Sequence, residues 1–261
     1  MIRAMPKRLT PRSLASLGTR NPKTIAFWAF MAVALVAAVG MYWAVSVSAT
    51  PKVSPPAVGF TLPEDPRLLI LGDSYTLGSN ADPRTEGYAY LVANALGWPS
   101  EVDGMGGTGF TWGGGTEGDR GDDYTSRINR RAEAGGFIPN VLLLQGGQND
   151  YRANPAGVFD QVTRTIRAAQ AAWPGVQIIV MGPSQPMPGG ALLQRVSSPI
   201  GRSAAAAQVS FISPLDSKWF TEQNSPEFSA DAGGTHLNNA GHVYMAERVL
   251  EALNKIGVPT S

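Results

Sequence analysis

No cysteine occurs among the 261 residues. Disulfides and thiolate metal sites are therefore excluded, and an oxidising compartment would do the fold no harm. Histidine is nearly absent too: His236 and His242 are the only two, and they stand six residues apart. That spacing does not put them on one helical face, and no acid-rich cluster accompanies them, which argues against a zinc site. No internal repeat is visible. The 30 glycines and 20 prolines are aperiodic, so they indicate a loop-rich chain and not a fibrous one.

Acids are missing from residues 1–24, where Arg3, Lys7, Arg8, Arg12, Arg20 and Lys23 give +6 and leave −5 on the rest of a chain of net charge +1. A basic arm of this kind can bind nucleic acid. The adjoining segment favours a membrane instead. Ile25–Val47 is uncharged for 23 residues. At about 1.5 Å per residue, a helix of that length crosses a hydrocarbon core of about 30 Å. Trp28 lies near one end, and Tyr42 and Trp43 near the other, where aromatic belts form. The basic arm then stays in the cytoplasm, and the chain beyond residue 48 lies outside. Cleavage of a signal peptide after Val47-Ser48-Ala49 is the rival reading. The length of the run favours an uncleaved anchor. Residues 48–66 are proline-rich and aperiodic, as in a semi-rigid linker.

From residue 67 onward, short apolar runs alternate with segments of helical period. Strands are expected at Arg67–Leu71, Glu101–Asp103, Val141–Gln145, Gln177–Met181 and Val209–Ile212. Helices are expected at Gly87–Leu96, Pro155–Ala172, Gly190–Ala207 and Asn239–Lys255. The runs are nearly continuous, not alternating, as in strands buried on both faces. In the second helix, Asn154 suits the N-cap and Pro155 the first turn, while Val158, Val162, Ile166 and Ala169 form one stripe. The pattern is that of a doubly wound α/β domain over 67–261, with ligands at the carboxyl ends of the strands.

Ser74, the glycine loop 104–115 and Asn149 all fall just past strand ends. Ser74 follows Gly72-Asp73 and reads either as a turn serine or as a nucleophile. The elbow Gly-x-Ser-x-Gly of α/β-hydrolases is absent, because Thr76 stands at the second glycine. Gly104-Met-Gly-Gly-Thr-Gly109 matches the dinucleotide fingerprint formally, but Phe110-Thr-Trp-Gly-Gly-Gly cannot open the helix that pyrophosphate binding requires. A loop offering free backbone N–H groups to a cleft fits better. Asn149 reads as turn chemistry or as an oxyanion donor at the end of the most hydrophobic strand, with Asp150 bracing its loop. His242, just inside the last helix, reads as a packing or capping residue. His236, in the loop Gly233-Gly-Thr-His, can reach the end of the first strand as a general base to Ser74.

Taken in order, Gly72-Asp73-Ser74, a glycine in the second loop, Gly147-x-Asn149-Asp150 and the late His236-x-Asn238 resemble the SGNH (GDSL-type) hydrolases over roughly residues 66–256. The resemblance implies a flavodoxin-like three-layer α/β/α sandwich with a parallel five-stranded sheet, here preceded by one transmembrane helix. It implies hydrolysis of esters or thioesters through an acyl-enzyme, with no metal or organic cofactor. Ser74 would be the nucleophile and His236 the base. The Ser74 N–H, the Gly107 N–H (Gly106 being the neighbouring choice) and the Asn149 side chain would form the oxyanion hole. The family's Asp-x-x-His is broken, since Gly233 stands three residues before His236 and the nearest acid, Asp231, five before. Either Asp231 reaches the imidazole across a bulged loop, or a backbone carbonyl orients it.

The expected partner is an acyl ester of an envelope glycan or lipid, met by a membrane-tethered enzyme that binds no nucleic acid. An acyltransferase with the same residues, and a non-catalytic binding module, are the competing readings. The loop Gly104–Asp123, with Phe110, Trp112 and Tyr124, is expected to wall the cleft.

Overall fold

A computed structural model describes residues 60–185, 190–231 and 233–260. The basic arm, the apolar run 25–47 and residues 48–59 of the linker lie outside the described residues. Among the described residues, no helix is long and apolar enough to cross a membrane. The described part of the linker lies on the domain. Phe60 packs against the core, and the carbonyl of Asp65 accepts from Asn140 Nδ2 at 2.8 Å.

In chain order the main elements are β1 (Leu68–Gly72), α1 (Ser74–Leu77), α2 (Tyr88–Leu96), β2 (Ser100–Gly104), α3 (Tyr124–Ala134) and β3 (Val141–Gln145). Then come α4 (Pro155–Ala172), β4 (Gln177–Met181), α5 (Gly190–Ala206), β5 (Ser210–Ile212), α6 (Ser225–Phe228) and α7 (Asn239–Lys255). All five strands are parallel and lie in the order β2-β1-β3-β4-β5, the flavodoxin-like arrangement.

Alternate strand residues feed two cores. Leu68, Ile70, Leu143 and Ile179 meet Tyr88 and Val92 of α2 and Met245 and Val249 of α7. Leu69, Leu71, Leu142 and Val180 meet Ile128 of α3, Val162 and Ile166 of α4, and Ile200 of α5. The result is three layers, with β1 and β3 buried throughout because both faces are covered.

The expected elements are present, with ends shifted by a residue or two, as at β2 and β5. Asn154 caps α4 by accepting from Gly157 N–H at 2.8 Å, in keeping with its position before the helix. Helix α3 is an element that the sequence pattern does not announce. Its sequence, YTSRINRRAEA, buries only Tyr124, Arg127 and Ile128, so no apolar stripe betrays it. The available signal is Asp123, which caps the helix through Ser126 N–H at 3.1 Å.

Candidate active site

The end of β1 runs straight into α1, and the turn between them is built from buried polar groups. Asp73 caps α1 by accepting from Tyr75 N–H at 2.9 Å, and its other oxygen accepts from Gln145 Nε2 at 3.2 Å. Gln145 Oε1 in turn accepts from Thr76 Oγ1 at 2.8 Å, and Thr76 Oγ1 lies 2.8 Å from the Tyr88 hydroxyl. Burial pushes the Asp73 carboxyl up to about 7, against the lowering influence of the Tyr75 N–H and the Gln145 amide. Ser74 occupies the first helical position. Its N–H is one of the donors that a helix start leaves without an intrahelical partner.

His236 arrives on the loop between α6 and α7. A bridge between Ser229 and Leu237 closes that loop, Ala230 N–H donates to His236 O at 3.0 Å, and Asn238 caps α7 through Gly241 N–H. Tyr75, next to the serine, pins the loop by donating its hydroxyl to the Thr235 carbonyl at 2.9 Å. His236 Nε2 thereby lies 3.0 Å from Ser74 Oγ. With Nε2 accepting the serine proton, the hydrogen-bond network assigns the ring proton to Nδ1.

Beyond Nδ1 the arrangement departs from a direct Asp–His pair. Asp231 Oδ2 is 4.0 Å from Nδ1, too far for a hydrogen bond. The Thr235 hydroxyl stands between them, donating to Asp231 Oδ2 at 2.9 Å and lying 3.4 Å from Nδ1. Asp231 also accepts from Thr235 N–H at 3.1 Å. That backbone donor is the main reason the Asp231 carboxyl is held below the usual carboxylate range, followed by the Thr235 hydroxyl.

The second loop leaves β2 beside the serine. A Cβ placed on Gly106 would come 3.9 Å from Ser74 Cβ, so this loop passes close beside the serine. Gly107 sits at φ +72° with open space where a side chain would be, a conformation glycine adopts without strain. Neither Ser74 N–H nor Gly107 N–H donates to any group among the described residues. Asn149 Nδ2 donates one hydrogen to the Thr108 carbonyl at 2.8 Å, which ties its amide to the Gly107 loop and leaves the second hydrogen free.

Two buried charges hold this loop. Asp150 accepts from Thr111 N–H and Thr111 Oγ1, both at 2.6 Å, and from Phe110 N–H at 3.2 Å. Burial raises its pKa, opposed first by the Thr111 donors. Asp150, expected to brace its own loop, thus ties that loop to the glycine loop. Arg127, which the sequence did not single out, is 2% exposed. It donates to Gly72 O at 2.8 Å, to Thr108 Oγ1 at 3.1 Å and to Asp103 Oδ1 at 2.6 Å, so one guanidinium binds the ends of β1 and β2 to the glycine loop. The helical phase of α3 was the missing signal for it.

The expected cleft wall needs correction. Phe110 and Tyr124 are fully buried and pack edge-on at 4.8 Å inside the core; Phe110 N–H is held by Asp150, and Tyr124 N–H donates to Gly109 O at 3.1 Å. Only Trp112 of the three lines a cleft. That cleft, of about 290 Å³, is bounded by Gly107, Trp112, Asn149, Tyr151 and Arg152 among others. His242 is a packing residue, as read from sequence. Its Nδ1 accepts from Tyr88 N–H at 3.3 Å and its Nε2 donates to Ser79 O at 3.0 Å. Desolvation is the main cause of its lowered pKa.

A serine within hydrogen-bonding reach of a histidine, flanked by three unpartnered N–H donors at the carboxyl ends of a 2-1-3-4-5 sheet, has the composition of a serine hydrolase of the flavodoxin-like α/β class. Residues 70–244 match the GDSL-like lipase/acylhydrolase family, and the chain belongs to that family: it is a serine ester hydrolase. A GDSL lipase of Mycobacterium tuberculosis is 28% identical over 197 residues, covering 69% of this chain and 78% of that protein. Among solved structures, a carbohydrate acetylesterase from Sinorhizobium meliloti superposes with a TM-score of 0.56 at 14% identity, covering 73% of this chain and 99% of that one. A family two carbohydrate esterase from Clostridium thermocellum, in complex with cellohexaose, does so with a TM-score of 0.57 at 19% identity, covering 76% and 67%. At these identities the two structures share the fold.

Proposed function

We propose that this protein removes short acyl groups, such as acetyl, from glycans of the cell envelope, with Ser74 as nucleophile and His236 as general base. The observation that carries this reading is the 3.0 Å approach of His236 Nε2 to Ser74 Oγ beside the free donors of Ser74, Gly107 and Asn149. Ser74 Oγ attacks the ester carbonyl carbon while its proton passes to Nε2. The oxyanion is held by the Ser74 and Gly107 N–H groups and by Asn149 Nδ2. As the C–O bond breaks, Nε2 returns the proton to the leaving alcohol. Water then attacks the acyl-enzyme by the same route and releases the acid. The imidazolium that forms is supported by the Thr235 hydroxyl at Nδ1, with the Asp231 carboxylate behind it.

A sugar substrate is favoured by two considerations: the open cleft beside the donors is lined by polar as well as aromatic groups, and structural neighbours include enzymes described as carbohydrate esterases. The apolar run Ile25–Val47, the basic arm before it and the linker to residue 66 support a membrane-tethered placement, with the domain 67–261 outside the cytoplasm.

Fluorophosphonate labelling of the full chain tests the nucleophile. Wild type is expected to label and to hydrolyse p-nitrophenyl acetate, and Ser74→Ala to do neither. Equal labelling of the two proteins, or a clear preference for long acyl chains over acetyl, would overturn the reading.

A further inference from the structure

The cleft beyond the oxyanion donors holds a cation that the hydrolytic mechanism does not use. Arg152 follows directly from the Asn149 loop, and its guanidinium lies 5.3 Å from the Tyr151 ring centroid and 5.8 Å from that of Trp112. Both distances are within cation–π range. Arg152 forms no ion pair with any described residue. In the loop that carries Trp112, Asp122 is shared by Arg120 at 3.2 Å and Arg130 at 2.7 Å.

Trp112 is committed as a support. The backbone of Gly118 lies so close to the indole that a Cβ there would come 2.6 Å from its Cδ2. With the loop on the indole and the guanidinium beside it, the group this cleft offers to a ligand is a positioned positive charge and not a bare aromatic platform. Restraint by two rings lowers the entropy lost when the guanidinium engages an anion. Gly107 and Asn149 line the same cleft, so whatever occupies it adjoins the carbonyl held by those donors.

We infer that the ester substrate carries a carboxylate or phosphate, as an acidic glycan does, and that Arg152 in the cleft beside Gly107 and Asn149 is the group that recognises it. This rests on the esterase reading above. It adds a charge requirement that neither the fold nor the family supplies.

The test uses the full chain and four small esters. They are neutral p-nitrophenyl acetate, 4-acetoxybenzoate and 4-acetoxyphenyl phosphate (anion on the alcohol side), and p-nitrophenyl hemisuccinate (anion on the acyl side). For each, kcat/KM is measured with wild type, Arg152→Gln and Arg152→Lys, with thermal melts confirming that the variants fold. For at least one anionic ester, the anionic-to-neutral ratio of kcat/KM is expected to fall about fivefold in Arg152→Gln, the upper end for one exposed ion pair. Arg152→Lys is expected to restore part of it, and 0.5 M salt to shrink the difference in wild type. The comparison of esters identifies carboxylate or phosphate, and acyl or alcohol side. Ratios that do not change between wild type and Arg152→Gln for every anionic ester would overturn the inference while leaving the esterase intact. Failure of wild type to hydrolyse any of the four, with no fluorophosphonate label on Ser74, would remove the esterase reading and this inference with it.

Discussion

The support of His236 is where this site departs most from a direct triad, and the departure has a measurable size. In a related triad with direct contact, loss of the orienting aspartate's charge lowers kcat by about 10⁴. Here Asp231 is 4.0 Å from Nδ1 and both side chains are about a third exposed, at 34% and 39%. Solvent therefore screens the charge, and the contact to the ring is made by Thr235 Oγ1 at 3.4 Å. A single hydrogen bond contributes about 1 kcal/mol net, or roughly fivefold in rate. Thr235→Val, which removes the hydroxyl and keeps the shape, should thus lower kcat/KM for p-nitrophenyl acetate about five- to tenfold. Thr235→Ser should retain activity within about twofold, since the hydroxyl is what matters. Asp231→Asn should cost no more than Thr235→Val, and the double variant should match the more damaged single one, because both changes break the same chain of contacts. Circular dichroism melts would show that the loop still folds. A loss near 10⁴-fold in Asp231→Asn, with Thr235→Val close to wild type, would refute the relay and place the carboxylate directly on the imidazole.

Two further expectations concern the floor and the rim of the site. Asn149→Ala should reduce kcat by about 10²–10³ with little change in KM, as for other oxyanion donors; a change confined to KM would show that Asn149 only binds the ground state. Asp73 should make stability fall with rising pH. Its folded carboxyl titrates at about 7 against an ordinary 3.8, so the native state binds the proton more tightly. The stabilisation is full below about pH 4, is lost as pH rises through about 7, and is flat above that. Urea-unfolding midpoints of wild type should therefore drop relative to Asp73→Asn between pH 4 and pH 8. A difference that does not vary with pH would remove the assignment.

Much of the fold was legible because burial on both faces leaves a local signature. Leu68–Leu71 and Val141–Leu144 are continuous apolar runs, and Val158, Val162, Ile166 and Ala169 recur at helical spacing. Helix α3 had no such signature, since a buried arginine occupies part of its inner face. Ser74, Asn149 and His236 could be named because few residue types attack, stabilise an oxyanion or move a proton near neutral pH, and each stood just beyond an element. The cleft wall was not legible because Phe110, Trp112 and Tyr124 are equivalent as letters. Only the tertiary structure decides that two of them turn inward, Phe110 beside the buried Asp150 and Tyr124 packed on Phe110.

By itself the sequence determined the alternation of elements, the parallel sheet and the absence of thiol chemistry, and it singled out the residues proposed above as nucleophile, donor and base. These follow from hydrophobic periodicity, turn chemistry and residue type, all of which act over a few neighbouring positions. The tertiary structure alone decided how His236 is supported, that Arg127 binds three segments into one rim, and that Arg152 stands in the cleft without a carboxylate partner among the described residues. Each of these depends on distances between groups far apart in the chain, which are set when the two cores close around the sheet and which no local pattern encodes.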